Sequence, residues 1–218
     1  KLSANRGMIL DRNGEALAVS TPVDTVWADP RKLAQVPQDF PRLAKALDRD
    51  VQWRARRVTS SLDREFVYLV RHMRPQDAAK VKALGIPGVD TLREYRRYYP
   101  AGEVTGHLLG FTNVDDVGQE GLELAFDQWL GGEPGAMRVM RDSLGRTIED
   151  IERIKAPRPG QDLRTSIDLR VQYLAYRELK AAVQANHARS GSVVVLAVAT
   201  GEVLAMVHQP AFTPHDRE

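Results

Sequence analysis

Serine, histidine and paired carboxylates are the residues of this chain that could do chemistry. It has no cysteine, and so no thiol nucleophile, disulfide or zinc–thiolate site. A serine becomes a nucleophile when a base stands beside it, as the lysine does in Ser-x-x-Lys. No serine here is followed three positions later by lysine. No Lys-Thr-Gly or Lys-Ser-Gly occurs: Ala199-Thr200-Gly201 has alanine where the lysine belongs, and Ser3-Ala4-Asn5 is a short, weak match to Ser-x-Asn. The five histidines, His72, His107, His187, His208 and His215, include no i, i+4 pair that would set two imidazoles on one helix face. No metal or cofactor is therefore expected. Gly118-Gln119-Glu120-Gly121 would oppose a phosphate with a carboxylate, which better complements a helix dipole. Glu120 and Glu123 would be neighbours on a helix and could be offered as a general acid/base pair. Nothing around them suggests a substrate pocket, and a helix start with one acid reaching a distant arginine is the simpler arrangement.

The elements that must position these residues read as follows. Apolar runs flank Asn13-Gly14, a dipeptide suited to tight hairpin turns, so residues 8–19 form a β-hairpin. Residues 29–63 carry short helices, opened by Asp29-Pro30 and again by Asp39. A strand covers 66–70, a helix runs from Pro75 to Leu84 and stops at Gly85, and a strand covers 92–99. Helices follow at 102–111 and 120–130, a second hairpin at 136–155 turns near Ser143-Leu144-Gly145, and a short strand spans 163–167. Asp168 caps the longest helix, which reaches about Asn186. Two strands, 192–198 and 202–207, close the chain around Thr200-Gly201. The class is α+β.

Hydrophobic residues make up 43% and charged residues 28%, so a packed core is expected, and aromatics at 6% make it mostly aliphatic. The length suits one elongated domain or two small ones. A net charge of +2 argues against a nucleic-acid binder. The arginine clusters at 54–57, at 93, 96 and 97, and at 153–158 leave an anionic-surface or nucleic-acid module as an alternative. The longest apolar run, Val193–Ala199, has seven residues, where a spanning helix needs roughly 20.

Several segments carry a resemblance. Arg6-Gly7-Met8-Ile9-Leu10-Asp11-Arg12-Asn13-Gly14 resembles the first signature of class B penicillin-binding proteins. Arg97-Tyr98-Tyr99-Pro100-Ala101-Gly102 is similar to their second, and Gly118-Gln119-Glu120-Gly121-Leu122-Glu123 to their third. Arg141-Asp142 with Gly145-Arg146, Ser166-Ile167-Asp168 with Gln172, and Thr200–Met206 resemble later family features in family order. The stretch from Pro100 to Leu130 is most similar to the division-specific, FtsI-like branch; an elongation-type enzyme is the alternative.

The resemblance implies an elongated N-terminal pedestal of the dimerisation type over residues 1–160. Residues 161–218 would then be the long helix and first hairpin of a transpeptidase domain cut short. It implies a parent enzyme, a serine-type D,D-transpeptidase cross-linking peptidoglycan at the periplasmic face of the bacterial inner membrane. The fragment itself would be inactive, because the catalytic motifs lie downstream. A membrane anchor before Lys1, a membrane glycosyltransferase partner, other division proteins and a peptidoglycan precursor held by the missing domain are implied as well, and nucleic acid is not. Arg6, Arg12, Arg97 and Arg141 suit bidentate pairing, with Asp11, Glu123 and Asp142 as partners. Gly7, Gly14, Gly102 and Gly121 suit turns or close approach, Pro100 ends a strand, and Gly145 stands with Arg141 and Asp142 among the inter-domain motif residues. Such an arginine–carboxylate network would fasten the first hairpin to later segments and set the angle of the catalytic domain. Cut from its sheet, the pair of strands at 192–207 would remain unordered, pair with another copy, or dock partly on the long helix.

Overall fold

The computed structural model describes residues 3–50, 61–141 and 147–217. Two compact units divide the chain, one of residues 1–3, 22–95 and 134–157, the other of residues 4–21, 96–133 and 158–218. The division falls within the two longest strands, β2 (Ala16–Ala28) and β4 (Val89–Tyr98), which pair with each other.

In the first unit the distal part of β2 pairs antiparallel with β3 (Val67–Met73), setting Trp27 opposite Tyr68 and Ala28 opposite Val67. Helix α1 (Pro30–Leu33) starts as its sequence dictates: Pro30 fits the first turn, and the Asp29 carboxylate accepts from Arg31 N at 3.0 Å. Asp39 behaves otherwise. It closes a 3₁₀ turn (Pro37–Asp39) with helical backbone angles, makes no cap to α2 (Phe40–Ala46), and accepts from Arg42 Nη1 instead. Helix α3 (Pro75–Ala83) ends before Gly85, whose φ of 62° favours glycine. Val26, Leu33, Leu43, Val67, Leu69, Val81, Ile86 and Val89 fill an aliphatic core. Strands β5 (Ala136–Arg141) and β6 (Thr147–Lys155) form the second hairpin. Its expected turn, with Asp142 and Gly145, lies outside the described residues.

The second unit holds the Asn13-Gly14 hairpin. Gly14 takes φ 90°, and β1 (Ile9–Leu10) returns into β2 with Ile9 opposite Ala18. Strand β7 (Leu163–Arg164) lies parallel to β1, with Ile9 against Leu163. The helix expected over 102–111 is a 3₁₀ turn (Gly102–Val104) followed by α4 (Gly106–Leu109). The helix expected over 120–130 is likewise two: α5 (Gly121–Ala125) and α6 (Asp127–Leu130), separated at Phe126, whose φ of −113° and ψ of 25° leave the helical region. Ile9, Leu17, Ala18, Tyr99, Leu109, Leu130 and Ile167 form the core.

Helix α7 (Leu169–Ala185) begins where Asp168 accepts from Arg170 N at 3.0 Å. Strands β8 (Gly191–Leu196) and β9 (Val203–Gln209) pair antiparallel and dock on α7. The buried Gln172 makes this joint specific: its amide donates to Met206 O and Val104 O, and its carbonyl accepts from Met206 N. The opposite face stays bare, with Val194 and Leu196 more than half exposed and Val198 fully so. Partial docking is thus the outcome for this hairpin. Among the described residues no helix is long and apolar enough to cross a membrane.

Candidate functional site

Glu123 is the most buried carboxylate of the second unit and the centre of its polar chemistry. It has no exposed surface, and it sits in the first turn of α5, where the helix dipole favours an acid. Two guanidiniums grip it from two other segments. Arg6 Nε meets Oε2 at 2.8 Å, and Arg97 Nε meets Oε1 at 2.6 Å. Arg6 also donates through Nη2 to the Glu123 carbonyl at 2.8 Å, and through Nη1 to Asp127 Oδ1 at 2.8 Å and to Asp116 O at 3.0 Å. Arg97 Nη1 reaches Gly7 O at 2.8 Å and Ser20 Oγ at 3.1 Å. Asp127 Oδ1 takes a further bond from Gly118 N at 2.8 Å. One acid thereby joins the hairpin start, the end of β4 and α5.

Burial opposes ionisation of Arg6, but Glu123 and Asp127 outweigh it and hold the guanidinium more basic than usual. Asp116 is different. Its Oδ1 is buried without a partner, and burial pushes its carboxyl up to about 6, with Arg6 and Arg97 only partly offsetting this. Tyr99 is raised as well, by burial and by Glu123, and its hydroxyl accepts from Thr112 N at 3.1 Å. Two arginines thus face three carboxyls, and protonating Asp116 would leave the charges matched.

Glycine makes the close packing around this cluster possible. A side chain on Gly121, at φ 59°, would meet Gly110 N at 2.5 Å, and one on Gly118 would meet Glu123 O at 2.1 Å. One on Gly7 would meet Gln161 O at 2.0 Å. Gly102, at φ 51°, and Gly14 have open space, so there only the backbone angle matters. Pro100 lies exposed beyond the end of β4.

The other motif residues are placed elsewhere. Asp11 is buried, and among the described residues it forms no salt bridge with an arginine. It accepts backbone N–H groups of Asn13 at 2.7 Å, Glu15 at 2.8 Å and Leu169 at 3.1 Å. Burial raises its carboxyl, these bonds outweigh that, and the result lies below the usual range. Arg12 is a surface group, 3.6 Å from Glu202. Arg141 is in β5, in the first unit. Asp127 and Asp116 belong to the cluster and outside the motifs. Asp127 was legible as the i+4 neighbour of Glu123, whereas Asp116 carries no signal in the sequence.

This geometry has little to offer a substrate. Glu123 is sealed and fully engaged, so Glu120 and Glu123 are no acid/base pair. Among the described residues one serine–base contact is legible only in the structure: Ser192 Oγ lies 2.8 Å from His208 Nδ1 across β8 and β9. Its histidine meets the His107 ring edge-on at 5.0 Å and is not oriented by a carboxylate there. Among the described residues no group of three or more His, Asp or Glu could hold a metal ion. A groove of about 840 Å³ beside Asn13, Glu15, Pro100, Val104 and Tyr173 includes Asp11, which its backbone donors already occupy. In the cluster at 93–97, Arg97 is buried and Arg93 pairs with Asp24 at 2.6 Å, while the cluster at 54–57 lies outside the described residues.

Residues 1–165 match the family model of the penicillin-binding protein dimerisation domain. The chain is 45% identical over 221 residues to peptidoglycan D,D-transpeptidase FtsI of Escherichia coli K12, covering 99% of this chain and 37% of that protein. It is 42% identical over 216 residues to the probable peptidoglycan D,D-transpeptidase PbpC of Pseudomonas aeruginosa, covering 99% and 38%. The crystal structure of Penicillin Binding Protein 2X from Streptococcus thermophilus shares the fold, with a TM-score of 0.68 at 21% identity, over 98% of this chain and 35% of that one. The chain thus spans little more than a third of the length of these relatives.

Proposed function

The chain belongs to the penicillin-binding protein dimerisation-domain family, and from that premise we propose that it is the non-catalytic region of a septal peptidoglycan D,D-transpeptidase. In this reading residues 1–160 are the pedestal and residues 161–218 open the transpeptidase domain. The region positions the catalytic domain and meets division proteins, among them a membrane glycosyltransferase, at the periplasmic face of the inner membrane. The observation that carries the reading is Glu123, sealed between Arg6 and Arg97. A buried, fully paired carboxylate organises backbone segments and does no acid–base work. The 45% identity to FtsI favours the septal branch over the elongation branch.

The test is a chimera in which this chain replaces the matching segment of Escherichia coli FtsI, expressed in cells depleted of their own enzyme. Restored division is the expected result. Filamentation despite normal labelling of the chimera by a fluorescent penicillin would overturn the septal assignment. The 218-residue chain alone should take up no fluorescent penicillin, and covalent labelling of it would overturn the non-catalytic reading.

A further inference from the structure

Between His107 and Arg138 the sequence contains no lysine, arginine or histidine, but it contains Asp115, Asp116, Glu120, Glu123, Asp127 and Glu133. In a chain of net charge +2 this is a locally inverted segment. Arg6 and Arg97 engage Glu123, and Arg6 also engages Asp127, from inside. Glu120 faces solvent; Asp115 and Glu133 are exposed as well but have partners of their own.

The same segment exposes large apolar side chains. Val114 is 42% exposed, Val117 44%, Leu124 54%, Phe126 40% and Trp129 49%. They stand on one tightly tied module. The 112–118 turn is closed by the Thr112–Gly118 bridge and packs through Gly118 against the backbone of α5. Gly110 and Gly121 are in backbone contact, and Trp129 Nε1 donates to Asp162 O at 3.2 Å, which holds the ring in place. An anchored, half-exposed tryptophan on a module that exposes further large apolar side chains is the kind of residue that dominates interface energetics.

We propose that residues 113–133 form a docking surface for a basic amphipathic segment of a partner protein. Apolar residues of that segment cover Leu124, Phe126 and Trp129, and its lysines or arginines meet the exposed Glu120. Charge decides the occupant. An acidic partner, or a second copy of this same acidic segment, is repelled at the rim. The proposal deepens the reading above by giving one partner a chemistry. Its experiment involves neither division nor transpeptidation, so the two fail separately.

The probe is a helical leucine/lysine peptide of about 18 residues, with a leucine/glutamate peptide and a shuffled leucine/lysine peptide as controls. The expected result is binding of the amphipathic basic peptide alone, with amide exchange slowed within residues 113–133. The double variant Glu120→Lys, Leu124→Ser alters only exposed positions and should weaken binding about tenfold or more, while Lys45→Glu in the other unit leaves it unchanged. Equal binding of the glutamate or shuffled peptide, affinity unmoved by the double variant, or slowed exchange elsewhere on the native chain would overturn the proposal. So would self-association in sedimentation that the double variant abolishes. The exchange footprint needs no variant and decides the matter if the double variant does not fold.

Discussion

Glu123 divides its two oxygens between two arginines that are themselves buried, so the three charges stand or fall together. Removing the acid strands two guanidiniums out of reach of water. Glu123→Ala should cost about 3–5 kcal/mol, read as a lowered urea midpoint. Asp127→Ala should cost clearly less, because its side chain is 34% exposed and water can replace it. Asp116 makes the opposite prediction. Its folded-state pKa of about 6 lies above the unfolded value of about 3.9, so the folded chain holds a proton that the unfolded chain releases between those values. The stability it contributes is full below about pH 4 and lost as pH rises through about 6. Asp116→Asn keeps the left-handed backbone at φ 63° accessible and removes the titration. It should stabilise the chain by about 1–3 kcal/mol at pH 7.5 and by little at pH 4, seen in urea midpoints across that range.

Turns and caps set the elements, and their glycines are not equivalent. Gly14→Ala meets only the cost of a positive φ in open space, about 1 kcal/mol. Gly121→Ala adds a collision with the backbone of Gly110 and should cost about 2–4 kcal/mol, with the larger fall in melting temperature of the two. Helix α7 depends on Asp168, whose carboxyl is lowered to about 2, first by the hydrogen bond from the Arg170 side chain. Asp168→Ala should lower stability by about 1 kcal/mol, measured as faster amide exchange at the start of α7. The break of the expected 120–130 helix at Phe126 also belongs here. It lets α5 present Glu123 inward while α6 carries Asp127 to the same arginine. Apolar residues around the circumference hide such a break, because backbone angles leave no mark in composition.

Across the whole molecule two aliphatic cores organise two units, and each unit draws on segments far apart in sequence. The second unit keeps the β8–β9 hairpin by docking it on α7 and leaves Val194, Leu196 and Val198 bare. Threonine at 194 and 196 preserves strand propensity and should raise the concentration at which light scattering first appears. The melting temperature should hold, since neither side chain packs against a core.

Local chemistry was legible in the residue order. Asn13-Gly14 announced its hairpin, Asp29-Pro30 and Asp168 their helix starts, Gly85 a helix end, and Gly118 to Glu123 the acid that matters. Each of these is dictated by backbone angles or donors within a few residues. The length of β2 was not legible, since it continues through the exposed Pro22, which a strand tolerates only where no partner needs its nitrogen. Nor was the choice of carboxylates. Asp11 looked like an arginine partner and binds backbone instead, while Asp127 and Asp116 join the cluster. An arginine and an acid more than a hundred positions apart meet only when strands and helices have packed. Composition and order therefore determined the elements and the absence of a nucleophile motif. Packing alone decided which charges would be buried together, because desolvation, not sequence spacing, selects the partners of a buried ion.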